Sequence, residues 1–199
     1  MKRLVYLLTL IYLLSATVSC QQKPSVPYTL AVPKGWTVET FPIPIDFAPN
    51  IPYKGTEEVR FTPGWGAPGA QHWSYSFLWW LEGRPLINEA SLQRDLEAYY
   101  GGLVGRNITK RNIPADKVVP TKVMIKKIET APQDEATFSG TINMLDYMPV
   151  VPIELNCVIH LFRCKEDNRT GIYFAVSPKK LNDPLWQEFE KLLTVNCRQ

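Results

Sequence analysis

Alternating hydrophobic and polar positions predict that much of the chain forms β-strands. Successive side chains of a strand point to opposite faces, so a strand in a sheet shows a period of two. The segment 72–80 is the clearest example. One of its faces contains Trp73, Tyr75, Phe77 and Trp79, and the other contains His72, Ser74, Ser76, Leu78 and Trp80. Tyr75, Phe77 and Trp79 are therefore expected in a core beneath a helix.

Further strand patterns occur at 28–32, 36–38, 57–63, 122–130, 135–145, 153–164 and 172–178. The turn at 165–171 joins the last two into a predicted antiparallel hairpin. Neither 72–80 nor 153–164 contains an internal proline, so both are predicted to lie inside the sheet. The proline-rich segment 41–53 lacks the backbone donors that a central strand needs, and is predicted to be a connection.

Two segments have helical spacing instead. In 87–107, Asn88 is a candidate N-cap and Leu92, Leu96 and Leu103 recur on one face, while Gly101-Gly102 weakens the last turn. The second helix begins at Asp183-Pro184, and its apolar positions extend to Leu193. The order strands, helix, strands, helix predicts a single α+β domain over 28–199, a mainly antiparallel sheet packed with helices.

The N-terminus has the pattern of an export signal. Lys2 and Arg3 precede an apolar run from Leu4 to Leu14, which is too short to span a bilayer as an anchor. Ser19-Cys20 then resembles a bacterial lipobox, with Thr17 where that pattern prefers Leu. The prediction is a signal peptide at 1–19, a lipidated Cys20 and a tether over 20–27, and hence a lipid anchor in the bacterial envelope, on its periplasmic or cell-surface side. The alternative is a plain secretory signal with an incidental cysteine.

Charge excludes one class of partner. The 22 basic side chains fall to 20 when Lys2 and Arg3 leave with the signal, against 19 acidic ones. The pairs Lys126-Lys127 and Lys179-Lys180 are isolated, so nucleic acid is not a predicted partner.

Three cysteines remain beyond Cys20. Cys157 and Cys164 lie on one predicted strand and point to opposite faces, too far apart to pair. A disulfide between Cys164 and Cys197 is one possibility in an oxidising compartment, and three reduced, buried thiols are the other.

The stretches YTLAVPKGWTVE (28–39) and SPKKLNDPLWQEFEKLLTVNCR (177–198) resemble the two ends of the PsbP-like fold, which PsbP proteins, Mog proteins and several bacterial lipoproteins share. The resemblance implies an opening hairpin, a central antiparallel sheet in an α/β/α sandwich and a closing helix. It carries no catalytic residue to this chain, because the family's functions are diverse.

The sequence Gly64-Trp65-Gly66-Ala67-Pro68-Gly69 matches G-x-G-x-x-G but does not predict dinucleotide binding. That turn needs a helix N-terminus directly after it, whereas here a strand follows and Pro68 lacks a donor. Trp65 in this loop is instead a candidate ligand contact, with His72 and Trp73 beside it, or else a packing residue. As a contact, it should be exposed or close over a pocket that His72 or Trp73 also lines.

The remaining chemistry favours binding over catalysis. His72 and His160 have no metal-ligand spacing, and no cofactor or metal is predicted. The leading hypothesis is a non-enzymatic binding or accessory domain whose partner is another envelope protein or a small ligand. The rivals are a sugar or lipid carrier that uses the aromatic segment 62–80, and a surface hydrolase with His72 or Asp46 in a cleft lined by Trp65 and Trp73.

Overall fold

The computed structural model describes residues 27–197; the predicted signal peptide, Cys20 and all of the tether except Pro27 lie outside them. Seven strands form the main sheet: β2 (Thr37–Ile43), β3 (Gly55–Phe61), β4 (Tyr75–Glu82), β5 (Lys122–Lys127), β6 (Ala136–Asp146), β7 (Val151–Cys164) and β8 (Arg169–Ser177). Their order is β2-β3-β4-β8-β7-β6-β5, and all neighbours are antiparallel. The predicted α+β class is confirmed, and β4 and β7 are interior strands as predicted.

The main sheet buries side chains on both faces. Phe77 and Leu78 are neighbours in β4, point to opposite faces and are both fully buried. Phe77 belongs to the core beneath helix α1 (Glu89–Arg111), and Leu78 to the core beneath helix α2 (Leu185–Glu190). Within residues 27–197, no helix is long and apolar enough to cross a membrane.

The two ends of the domain pair with each other. The strands β1 (Tyr28–Leu30) and β9 (Leu193–Val195) form a separate antiparallel sheet. Two expectations are corrected here: β1 is not in a hairpin with β2, and the second helix ends at Glu190, three residues before Leu193. The reason is that β1 engages the backbone of 192–196, which includes a bond of 2.8 Å from the Ala31 amide to the Leu192 carbonyl.

A disulfide fastens the same end. Cys164, the last residue of β7, is bonded to Cys197 in the C-terminal tail, with 5.4 Å between their Cα atoms. Cys157 is reduced and buried in the core on the other face of the sheet. Burial raises the pKa of the Cys157 thiol to about 12, so this thiol remains protonated at neutral pH.

Helix α1 has the predicted N-cap and a different end. The Asn88 side chain accepts a bond of 2.9 Å from the Ser91 amide, and the Ser91 hydroxyl accepts one of 2.9 Å from the Asn88 amide. The helix continues through Gly101-Gly102 to Arg111 instead of ending at 107. Gly102 is required there by a close contact, because a Cβ atom on it would lie 1.8 Å from the Phe47 carbonyl oxygen.

Replacing the two glycines separately tests this contact. Gly101→Ala meets nothing within 4 Å and should raise the free energy of unfolding by up to about 1 kcal/mol through helix propensity. Gly102→Ala should lower it by about 1–3 kcal/mol, because the Phe47 backbone must move away. Urea unfolding of both variants provides the measurement. Equal stabilisation by both would contradict the packing of Phe47 against α1.

Candidate functional site

The segment 62–74 between β3 and β4 is a loop closed at its base. The Thr62 hydroxyl donates to the Ser74 carbonyl at 2.7 Å, and the Trp73 amide donates to the Trp65 carbonyl at 2.8 Å. His72 and Trp73 therefore lie in this loop, and the predicted strand 72–80 begins only at Tyr75. These bonds bring Trp65 and Trp73 together although eight positions separate them.

Trp73 is fully buried and locally strained. Its φ angle is +51°, a left-handed conformation that bulky residues rarely adopt and that costs on the order of 1–3 kcal/mol. Its indole N–H has no hydrogen-bond partner among the described residues, although nearly all buried donors in proteins have one. Strained backbone and unpaired buried donors both occur preferentially at functional sites.

Trp65 contacts Trp73 and is half-buried. Its exposure therefore lies between that of an exposed ligand contact and that of a buried packing residue, the two roles that the sequence allows. Its ring stacks on Phe61 with 4.2 Å between centroids. It also meets Trp73 and Tyr75 edge-on, at 6.1 and 6.0 Å. Trp65 therefore both packs on the core and leaves part of its ring accessible.

Beneath Trp65 is a cavity of about 200 Å³, which we call the aromatic cavity. The backbone of α1 lies mainly against β5 and β6. The segment predicted as a connection begins inside the sheet, because 41–43 form the end of the edge strand β2. The cavity lies where β2, the following segment 44–53 and loop 62–74 meet α1. Its walls are mostly rings: Phe41, Phe47, Phe61, Trp65, Trp73, Tyr75, Tyr99 and Tyr147, with Glu39, Val59 and Leu103 completing them. Trp65 thus closes over a space that Trp73 also lines.

A larger space of about 470 Å³, which we call the outer groove, adjoins the aromatic cavity and shares Glu39, Phe41, Phe47 and Leu103 with it. Phe47 separates the two spaces, and its ring meets Tyr99 of α1 at 5.1 Å. The contact of its backbone with Gly102 fixes its position. The sequence reading missed this wall, because 41–53 was interpreted only as a connection. The two phenylalanines of this proline-rich segment, Phe41 and Phe47, were the sequence signal that it packs on the core.

Two carboxyl groups lie on the cavity side of the sheet. Glu57 is fully buried and accepts bonds from the Trp79 indole N–H at 2.6 Å and the Tyr99 hydroxyl at 3.0 Å. Burial raises its pKa to about 7 and outweighs these two bonds, while the charge of Glu39 raises it further. Glu39 is opposite Val59 in the register of β2 and β3, so it faces the same side and lines the cavity. Within 27–197, neither glutamate forms an ion pair.

The structure does not join the residues of the hydrolase hypothesis. Asp46 lies in the outer groove and pairs with Arg106 at 2.6 Å, and the hydrogen bond from Arg106 lowers the pKa of its exposed carboxyl. His72 instead contacts the buried Asp146, with 2.5 Å between Nε2 and Oδ2. His72 is not among the residues lining the aromatic cavity, whereas Trp65 and Trp73 are.

His160 belongs to a separate charged cluster on the opposite face. Its ring nitrogens lie 2.8 Å from Asp134 and 3.1 Å from Glu190, beside a cavity of about 260 Å³. Burial lowers the pKa of His160, but the bonds to both carboxylates outweigh it and raise the pKa to about 9. Within the described part of the chain, no group of three or more His, Cys, Asp or Glu side chains is arranged to hold a metal ion.

Glu57 should make stability depend on pH. Its pKa is about 7 in the folded protein against an ordinary 4.5, so from pH 4.5 to 7 the unfolded chain loses a proton that the folded chain retains. The stabilisation is complete below 4.5 and is lost as pH rises through 7, by about 3 kcal/mol in all. Glu57→Gln keeps an acceptor for the Trp79 N–H and the Tyr99 hydroxyl but cannot ionise. The variant should therefore lack the part of the loss of unfolding free energy with rising pH that Glu57 causes. Urea unfolding at pH 5 and 8 checks it, and parallel profiles for both proteins would contradict it.

The described residues of the aromatic cavity therefore offer ring faces and one carboxylate, with a second carboxyl buried behind Tyr99. Such a set can enclose a small molecule and orient it through few polar contacts. Comparison of the chain with protein-family models, with curated proteins and with solved structures found no match.

Proposed function

We propose that the protein is a lipid-anchored component of the bacterial envelope and that its domain, of PsbP-like form, is a non-enzymatic module that binds a small, mostly apolar ligand. The observation that carries the proposal is the aromatic cavity, closed by Trp65 over Trp73, whose buried N–H has no partner. An aromatic pocket with few polar groups is typical of small-molecule binding sites.

The size and chemistry of the cavity define its ligand. An apolar protein cavity of about 150 Å³ accommodates benzene, so the 200 Å³ available here suits a ligand or ligand group of similar or slightly larger size. Trp73 has no accessible surface, so its unpaired N–H adds to the energetic cost of building the site and is not itself a ligand contact. The strain at Trp73 is then part of a preformed site.

The envelope location is supported by the N-terminal pattern and by the position of β1. The apolar run Leu4 to Leu14 and the Ser19-Cys20 pair have the form of a lipoprotein signal. The first strand begins at Tyr28, so a lipid on Cys20 would hold the domain within about 25 Å of the membrane surface. The stretches 28–39 and 177–198 remain the support for the PsbP-like form.

Binding should depend on Trp65. The full mature chain is placed in phosphatidylglycerol nanodiscs and titrated with 3,3-dimethylbutan-1-ol, a compact neutral alcohol, while indole N–H resonances are followed by NMR. Saturable shifts are expected, and Trp65→Ala should abolish them while lowering the free energy of unfolding by only about 1–2 kcal/mol, because its ring is half-buried. Trp36→Ala is the matched control, since half-buried Trp36 packs on Phe189 at the opposite face.

Unchanged binding by Trp65→Ala would place the ligand elsewhere. A loss of about 3–5 kcal/mol would instead identify Trp65 as a core residue and contradict its role as a contact.

Cys20 should be the acylated first residue of the mature protein. Mass spectrometry of the mature N-terminus should find a diacyl or triacyl mass on it, and Cys20→Ser should release the protein from the membrane fraction. Two chains on one residue suffice for stable anchoring, whereas a single chain binds only weakly. A mature chain that begins elsewhere without lipid would overturn this part of the proposal.

A further inference from the structure

We infer that the ligand of the aromatic cavity is an organic cation with an alkylammonium group. The inference deepens the proposed function and depends on it. Two independent features of the described residues support it: the arrangement of the rings and the unpaired carboxylate of Glu39 that lines the cavity with them.

Several pairs of rings around the cavity stand at steep angles to each other, while Phe61 and Trp65 are stacked. Trp65 makes interplanar angles of 80° with Trp73 and 61° with Tyr75. Phe47 and Tyr99 form another corner at 75°. Aromatic faces are electron-rich, so a set of inclined rings can surround a cation with favourable contacts on several sides.

Glu39 is the charged side chain among the residues that line the cavity, and it is exposed. It has no basic partner within residues 27–197, and neither has Glu57, which is buried behind Tyr99. Two arginines lie over rings of these spaces: Arg106, paired with Asp46 at 2.6 Å, lies over Phe47, and Arg111 lies over Tyr147 with 5.4 Å between its Cζ atom and the ring centroid. A cationic ligand would pair with the Glu39 carboxylate.

The protein already places one cation on a ring of this wall. The Arg106 Cζ atom lies 5.1 Å from the centroid of Phe47, on a ring that lines both the outer groove and the aromatic cavity. Cations thus already contact the faces of two rings that line the aromatic cavity.

Comparing choline with 3,3-dimethylbutan-1-ol distinguishes the effect of ligand charge on binding from the effect of ligand shape. They have the same outline and the same hydroxyl acceptor, but only choline is charged. Both are titrated against the full mature chain in phosphatidylglycerol nanodiscs, which contain no ammonium lipid, with empty nanodiscs subtracted and ionic strength matched. Choline is expected to bind about tenfold more tightly, as cation–π contacts in a partly desolvated site allow.

Glu39→Gln is expected to remove most of that preference and leave the affinity for the neutral alcohol unchanged. Glu154→Gln is the matched control, because Glu154 is an exposed strand glutamate on β7 outside the aromatic cavity. Trp65→Ala should abolish binding of both compounds.

The outcomes are distinguishable. Equal affinities for choline and the alcohol would overturn the inference and leave the proposed function standing. Preference for choline that survives Glu39→Gln would overturn the role of Glu39. Preference that falls equally with Glu154→Gln would show that surface charge in general attracts the cation, and would overturn the inference. Binding of neither compound would contradict the proposed function itself.

Discussion

The seven-stranded sheet is apolar on both faces along its central strands, and residues 27–197 contain only two α-helices with which to cover them. In β4, Phe77 and Leu78 are both fully buried, one on each face. Helix α1 covers one face, mainly over β5 and β6, and α2 on the other face has only six residues. Irregular segments and the chain ends must cover what remains, since exposed sheet would leave large apolar areas in water. The aromatic cavity lies in the part of this cover where three such segments meet.

On the opposite face, cover comes from the two ends of the domain. β1 and β9 pair with each other, and the Cys164–Cys197 disulfide fixes the tail to the end of β7. A bridge that closes a loop of this kind restricts the unfolded chain more than the folded one. The first strand is therefore held in place on this face, whereas the loop 62–74 and the aromatic cavity lie on the other face of the sheet.

Two residues at or near the aromatic cavity have energetically unfavourable features. Trp73 has a left-handed backbone and an unpaired N–H, and Glu57 is a buried carboxyl without an ion pair in the described part of the chain. Each lowers the stability of the fold, and each is close to the same space. Local departures from good packing and pairing are expected where a protein keeps a function.

The local sequence pattern correctly predicted the order of strands and helices and the interior positions of β4 and β7. It also predicted the Asn88 cap and the shared face of Tyr75, Phe77 and Trp79. Each of these features depends on the period of side chains along an element or on bonds within one turn. The local pattern failed for contacts between distant segments. The pairing of β1 with β9, the end of α2 at Glu190 and the closure of loop 62–74 all arise from backbone bonds between residues far apart in the chain or across a loop. The position of Phe47 over Gly102, and with it the cavity, likewise exists only once the sheet and α1 have packed, since local spacing contains no information about which surfaces meet.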